Sequence, residues 1–235
     1  MNISKSLVAA ALSVASVGAF ADVTVLGTTF AQGASSKSTA IGTFTANGGT
    51  FDFKSPSIGT YQGVGISGAT KGEIDKGESI VGTFNDVYKI TQFTVGLLFD
   101  GPEFGDVQEV AKVSVQFQNN SWADYFLTST YTSTAGLSAT WSNLASGAVT
   151  NLSPATTSTY GVWSVLNPFG SNMIKSIAFT AVDGLCGTSV NCTNQSDFSL
   201  VSVTAVPEVE TYAMMLAGLG LMGTIARRRN KSKAV

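Results

Sequence analysis

Histidine is absent from this chain of 235 residues. Its absence removes the most common general base in catalysis, the most common metal ligand and the usual partner of a nucleophilic Ser or Cys. The chain also lacks the G-x-S-x-G motif that exposes a nucleophilic Ser on a sharp turn. We therefore expect this protein not to be an enzyme, and we expect it to bind no cofactor.

Charge is scarce and unevenly distributed. Charged residues make up 12% of the chain, about half of the share that a globular protein usually carries. The only arginines lie at 227–229, and residues 22–206 hold thirteen acidic residues and seven lysines, a net charge near −6. An acidic segment without arginine argues against nucleic acid as a partner.

Cysteine is limited to Cys186 and Cys192, which have five residues between them in a stretch typical of a turn. In an exported chain this pattern predicts one disulfide bond. Free or metal-bound thiols are the alternative. They are less favoured because two thiols without histidine rarely form a metal site.

The N-terminus has the features of a secretory signal peptide. Lys5 provides a positive charge, an apolar run rich in alanine follows, and Ala19 and Ala21 form an A-x-A cleavage site. We expect residues 1–21 to be removed and the mature chain to begin at Asp22. The apolar run is too short to span a bilayer comfortably.

The C-terminal segment, residues 206–235, differs from the rest of the chain. It contains Pro207 and Glu208, then an apolar run over 212–226, then a basic tail over 227–233. Proline has no N–H to donate, so Pro207 is expected to end the preceding strand. The basic tail holds five of the thirteen basic residues of the chain: Arg227, Arg228, Arg229, Lys231 and Lys233.

The apolar run is predicted to be a membrane helix. Its fifteen residues would cover about 22 Å as a helix, and snorkelling arginines would extend this reach toward the ~30 Å hydrocarbon core. The positive-inside rule keeps the basic tail in the cytoplasm and the preceding domain outside, as the signal peptide also requires. A buried core helix is the alternative, but such a helix would not end in three arginines.

The order Pro-Glu, apolar helix and arginine cluster resembles the PEP-CTERM sorting domain. The run from Glu210 to Leu221 is similar to that family, and the third motif position is Val209 rather than proline. The resemblance implies a transient anchor in the inner membrane and recognition at Pro207 and Glu208 by an exosortase, a transpeptidase-like protease. It also implies an association with exopolysaccharide at the cell surface or in the extracellular matrix.

The intervening segment, residues 22–205, is predicted to be an all-β domain. Thr, Val and Phe recur with a period of two, turn signals separate the strands, and no long amphipathic helix is present. We expect an antiparallel β-sandwich, jelly-roll-like. An irregular β-solenoid is the rival, but no fixed repeat is found. The predicted strands cover 22–30, 39–45, 50–54, 82–92, 93–100, 112–117, 124–130, 137–143, 160–166, 176–181 and 198–206.

The segment Phe84-Asn-Asp-Val-Tyr88 resembles the aromatic-x-Asp-x-aromatic signature of one branch of PEP-CTERM proteins, with Tyr88 in place of the usual Phe. Aromatic residues at a spacing of two or four along a strand usually belong to a core. We therefore expect Phe84, Tyr88 and Ile90 to share a buried face. Asp86 interrupts this face, and we expect it to bond a neighbouring turn.

Two motifs suggest ligand sites that we do not favour. Gly63, Gly65 and Gly68 match the dinucleotide pattern G-x-G-x-x-G, but the helix that such a site needs is not predicted after them. A turn with four carboxylates could bind Ca²⁺ through oxygen ligands. We interpret it as a solvated turn without a metal, because separated acids on a loop are ordinary. Its carboxylates are Asp100, Glu103, Asp106 and Glu109.

Two further features leave functional alternatives open. Residues 71–78 form a mixed-charge segment that we interpret as a solvated loop. Six aromatic residues could stack on sugars if they lined one face, although we favour a place in the core. They are Trp122, Tyr125, Tyr131, Trp141, Tyr160 and Trp163. The favoured function is an exported structural or adhesive surface protein. A carbohydrate-binding module and a divergent glycoside hydrolase with two carboxylates are the alternatives.

Overall fold

The apolar and β-branched residues between 22 and 206 lie mostly on antiparallel strands. The computed structural model describes residues 22–55, 59–98, 108–132, 136–143, 145–154, 161–184 and 196–208, together with Gly220 and Met222. Within these residues the fold is all-β, as the sequence predicts, and it is consistent with a β-sandwich. No helix among the described residues is long and apolar enough to cross a membrane.

The described residues between 22 and 207 contain thirteen strands and one short 3₁₀ helix, Gly27–Thr29. The strands are β1 Val23–Leu26, β2 Ser36–Thr39, β3 Gly42–Asn47, β4 Phe51–Phe53, β5 Val64–Ile66, β6 Ser79–Gly96, β7 Val110–Phe117, β8 Trp122–Thr132, β9 Gly136–Trp141, β10 Ala148–Asn151, β11 Trp163–Leu166, β12 Ile174–Val182 and β13 Ser199–Pro207.

The strands are linked in the order β4-β5-β13-β6-β12-β7-β8-β9. Side branches join this path: β1 pairs with β13, β3 pairs with β6 and carries β2, and β11 pairs with β6 and carries β10. The first and last of these strands are therefore neighbours, with Val23 opposite Ala205. Because β6 has four partner strands, it is the element that joins the branches.

The core follows from alternating side chains. In β7, Val113 and Val115 are fully buried while their sequence neighbours are only half-buried, and Ile177 and Phe179 in β12 behave likewise. The period of two that the sequence predicts is therefore present in these parts of both strands. Ser176 is buried too, because its hydroxyl donates a hydrogen bond to the carbonyl of Gly82.

One long strand replaces two predicted strands, since β6 runs unbroken through Gln92 and Phe93. The prediction of a break there is wrong. Its first part pairs with β3 and β12, and residues 92–95 pair with β11. Ile90 and Phe93 are both fully buried although three positions separate them. The fully buried apolar side chains of β6 therefore change from even-numbered to odd-numbered positions between Ile90 and Phe93, while the strand itself continues.

Three short strands were not predicted by the sequence pattern as separate elements. Strand β2 is polar, with the sequence Ser-Lys-Ser-Thr, and β10 is largely exposed. Strand β5 is only three residues long and lies within the glycine-rich motif. Hydrogen bonding to a neighbouring strand stabilises each of them, and apolar periodicity therefore does not reveal them.

Candidate functional site

The residues of the predicted sorting and processing signals lie mostly outside the described part of the chain. This holds for Ala19, Ala21 and the arginine cluster, as well as for most of the predicted helix 212–226. Pro207 is the last residue of β13, and Glu208 follows it half-buried. Gly220 and Met222 are in helical conformation. The predicted disulfide partners, Cys186 and Cys192, also lie outside the described residues.

The Phe84–Tyr88 segment forms a bulge in β6. Ile174 lies opposite Tyr88 whereas Ser176 lies opposite Thr83, so β6 carries extra residues between these two pairs. Phe84, Tyr88 and Ile90 are buried, as predicted. The bulge accommodates the residues between the two aromatic side chains without removing either aromatic ring from the core.

Asn85, not Asp86, bonds the neighbouring turn. The Asn85 side-chain amide donates to the carbonyl of Ala40, and its backbone N–H donates to the carbonyl of Ile41. The Tyr88 hydroxyl donates to Asn85 Oδ1 over 2.9 Å. Asp86 is exposed and accepts a hydrogen bond from the backbone N–H of Val87. The expectation that Asp86 holds the turn is therefore wrong.

The G-x-G-x-x-G motif serves packing. It spans β5 and is followed by a turn, not by a helix. A Cβ added to Gly63 would lie 2.3 Å from the Cβ of Ser199, and one added to Gly65 would lie 2.3 Å from the backbone of Glu73. A Cβ added to Gly68 would overlap the Glu78 carboxylate. All three glycines allow close approach of other chain segments, so the motif needs no nucleotide to explain it.

The mixed-charge segment is not a solvated loop, because Glu73, Asp75 and Glu78 are buried. Glu73 forms an ion pair with Lys54. Asp75 accepts a 2.6 Å hydrogen bond from the backbone N–H of Thr70. The segment therefore folds inward, and the carboxylates of Asp75 and Glu78 accept hydrogen bonds from its own backbone N–H groups.

Glu78 has the most perturbed environment of these carboxylates. It accepts hydrogen bonds from the backbone N–H groups of Ala69, at 3.2 Å, and Asp75, at 3.1 Å. Burial raises the pKa of Glu78 above 4.5, and the nearby Asp75 charge adds to this rise, while the two hydrogen bonds oppose it. The carboxyl group organises the loop around it and is not directed at a groove described here.

The predicted calcium alternative is represented only by Glu109. It is buried immediately before β7, and its carbonyl accepts a 2.9 Å hydrogen bond from the backbone N–H of Ser129. Asp100, Glu103 and Asp106 lie outside the described residues. Among the residues that are described, no group of three or more acidic or thiol side chains is arranged to hold a metal ion.

The aromatic residues divide between core and surface. Trp141 and Trp163 are buried, and their indole N–H groups donate to the carbonyls of Pro168 and Leu98. Tyr125 is half-buried and stacks on Trp141, with ring centroids 5.6 Å apart and planes 17° apart. Trp122 is 58% exposed. The side chain of Tyr131 and all of Tyr160 lie outside the description.

A groove opens beside Tyr125, where the turn between β7 and β8 meets the segment that precedes β12. Its volume is about 590 Å³, which is within the usual range for small-molecule sites. None of the described residues that line it is charged. The lining residues are Phe117, Gln118, Asn119, Ser121, Tyr125, Ser171, Asn172 and Met173.

The walls of this groove are held in place by internal hydrogen bonds. The backbone N–H of Gln118 donates to the carbonyl of Met173 over 2.9 Å and joins the two segments. Asn119 Oδ1 accepts from the hydroxyl and the N–H of Ser121. The side-chain amide of Asn172 donates to the carbonyl of Phe169. The groove is therefore formed before any ligand arrives.

Neither this groove nor a smaller one of about 390 Å³ beside Phe53 and Lys54 is lined by a carboxylate. The glycoside hydrolase alternative thus has no supporting pair of acids in the two grooves. Comparison with protein-family models, curated proteins and solved structures finds no match to this chain.

Proposed function

We propose that this chain is an exported surface or extracellular-matrix protein of structural or adhesive character, associated with exopolysaccharide and sorted by an exosortase. The signal peptide, residues 1–21, directs export. The apolar helix 212–226 then anchors the protein in the inner membrane until it is processed near Pro207 and Glu208. The body between these signals is a jelly-roll-like sandwich whose role is not catalytic.

The observation that carries this proposal is the distribution of arginine. All arginines of the chain stand together at 227–229, directly after the apolar run. A soluble domain gains nothing from such a cluster, whereas a membrane helix needs one at its cytoplasmic end. Lys5 at the other terminus calls for the same orientation, with the body outside the cytoplasm.

The arrangement of the body supports processing at both ends. Strand β1 begins two residues after Ala21, and β13 ends at Pro207. The two strands are paired, with Val23 opposite Ala205. Cleavage on the outer side of this pair would remove both sorting signals without breaking a described ladder, so the released body would keep its sheet.

The carbohydrate-binding module is the alternative that the aromatic residues would favour if they formed an exposed row. Two of the three tryptophans are buried in the core, and Trp122 is the one exposed aromatic side chain among the described residues. A flat stacking platform for a crystalline polysaccharide needs several such rings. The described surface therefore favours a matrix protein over a module with a flat binding face.

Replacement of Arg227–Arg229 by Asn tests the topology. Without the cytoplasmic charge, we expect the amount of correctly processed protein to fall by about tenfold or more. Immunoblots of cytoplasm, envelope and medium measure this amount. The matched control replaces Lys37, Lys71 and Lys89 of the body by Asn, which removes the same charge and should leave processing unchanged. Unchanged processing of the arginine variant would contradict the proposed anchor.

A further inference from the structure

We propose that the groove beside Tyr125 binds a neutral saccharide segment. The inference deepens the proposed function and rests on it, because it assigns the association with exopolysaccharide to a particular site. The groove combines half-buried aromatic rings with amide and hydroxyl side chains. A sugar presents apolar C–H faces and a rim of hydroxyl groups, and it needs both kinds of contact at once.

The polar groups of the groove have hydrogen-bonding capacity to spare. The Gln118 side chain and the hydroxyls of Tyr125 and Ser171 have no hydrogen-bond partner within the described part of the chain. Asn119 and Asn172 each use one end of the amide internally and leave the other end available. Together they offer donors and acceptors, as the hydroxyl groups of a sugar require.

The aromatic wall is rigid. Tyr125 lies between Trp141, at a ring distance of 5.6 Å, and Phe169, at 5.2 Å. Its ring cannot turn away without losing both contacts, so little conformational entropy is lost when a sugar packs against it. Burial also raises the pKa of Tyr125 above 10.0, so its hydroxyl stays protonated and can donate.

Charge selects a neutral ligand. The groove offers no cation that could neutralise a carboxylate, sulfate or phosphate group. The body around it carries a net charge near −6 and no arginine, so an acidic polymer would be repelled at low ionic strength. A neutral polysaccharide meets neither obstacle.

The test measures binding of the full chain, purified in detergent, to immobilised neutral polysaccharides (dextran, galactomannan and xyloglucan) and to alginate as the acidic comparison. We expect at least one neutral polymer to bind and alginate not to bind. Gln118→Ala should weaken binding about fivefold through loss of side-chain hydrogen bonds. Ser171→Trp should abolish binding, because the indole fills the groove from an exposed position.

The matched control is Gln116→Ala, since Gln116 lies in β7 two residues earlier and does not line the groove. Circular dichroism confirms that each variant is folded. Binding of both the Gln118→Ala and the Ser171→Trp variant equal to that of the parent would overturn the groove assignment and leave sorting and export intact. Absence of binding to every neutral polymer, or preference for alginate, would also overturn it. Processing of the same variants in cells is a separate measurement, and it tests the sorting proposal.

Discussion

Glycine at positions 63, 65 and 68 lets other segments of the chain come unusually close to β5. The tightest backbone contact is at Gly65, where a Cβ would lie within 2.4 Å of three backbone atoms of Glu73. In other proteins this glycine pattern forms a phosphate-binding turn, whereas here the three glycines allow close packing. Sequence reasoning could reject the nucleotide site because no helix follows, but it could not identify which segments the glycines contact.

We expect Gly65→Ala to destabilise the protein by about 3 kcal/mol or to prevent folding, because the contacted atoms are backbone and cannot move aside. Urea denaturation followed by tryptophan fluorescence measures the free energy of unfolding. The control is Gly136→Asn, at a position with φ +71° and nothing within 4 Å of an added Cβ. It should cost less than about 1 kcal/mol, since asparagine tolerates this conformation. Equal stability of the Gly65 variant and the parent would contradict the packing.

Glu78 links stability to pH. Its pKa in the folded protein is raised above 4.5, so the native state binds this proton more tightly than the unfolded state does. The contribution of Glu78 to stability is therefore greatest at low pH, decreases as pH rises through the raised pKa, and is level above it.

We expect Glu78→Gln to lack this decrease. Urea midpoints of parent and variant, compared at steps of pH from 4.5 upwards, measure the difference between the two profiles. Asp86→Asn is the control, because it removes an exposed carboxylate from the same strand region and should leave the decrease in place. A Glu78→Gln profile parallel to that of the parent would show that another group is responsible.

At the scale of elements, β6 explains most of the difference between pattern and fold. Alternation holds at Val113 and Val115 of β7 and at Ile177, Phe179 and Ala181 of β12, although β12 has a register shift between Ile174 and Ser176. In β6 the bulge at 84–87 and the change of phase between Ile90 and Phe93 break the period of two while hydrogen bonding continues. The period of two describes which side chains are buried, whereas the continuity of a strand depends on its backbone hydrogen bonds. The first can therefore change while the second persists.

Sequence reasoning is limited in the same way for the candidate groove. The aromatic residues could be identified as potential sugar contacts, but only the fold distinguishes Tyr125, on the groove wall, from Trp163, in the core. Gln118, Asn119 and Asn172 are ordinary turn residues in sequence. Hydrogen bonds between distant turns bring them together, and no local pattern encodes such contacts.

The bulge in β6 predicts different effects on stability for substitutions at the adjacent residues Asn85 and Asp86. Asn85→Ala should destabilise the protein by about 1–2 kcal/mol, because the Tyr88 hydroxyl and the turn at Ala40 lose a partner. Asp86→Ala is the matched control and should change stability by less than about 0.5 kcal/mol, since its side chain is exposed and bonds only the adjacent backbone. Thermal unfolding of both variants measures the contrast. A larger loss for Asp86→Ala would reverse the assignment.

At the scale of the whole molecule, residues 22–206 contain the antiparallel strands, and they lie in the chain between the two segments that we propose as sorting signals. The first and last described strands, β1 and β13, pair with each other. The acidic character of the body and the basic character of the tail suit opposite sides of an inner membrane. Under the proposed function, export, anchoring and release would act on the ends of the chain and leave the pairing of β1 with β13 in place.

The most direct test of the proposed export and processing is the intact mass of the native protein. The protein is recovered separately from the cytoplasm, envelope and medium of cells with and without exosortase. We expect both exported forms to lack residues 1–21. With exosortase the released form should end near Pro207 and Glu208, and without it the envelope form should extend through the arginine cluster. A protein that remains in the cytoplasm at the full mass of 235 residues would contradict the proposal.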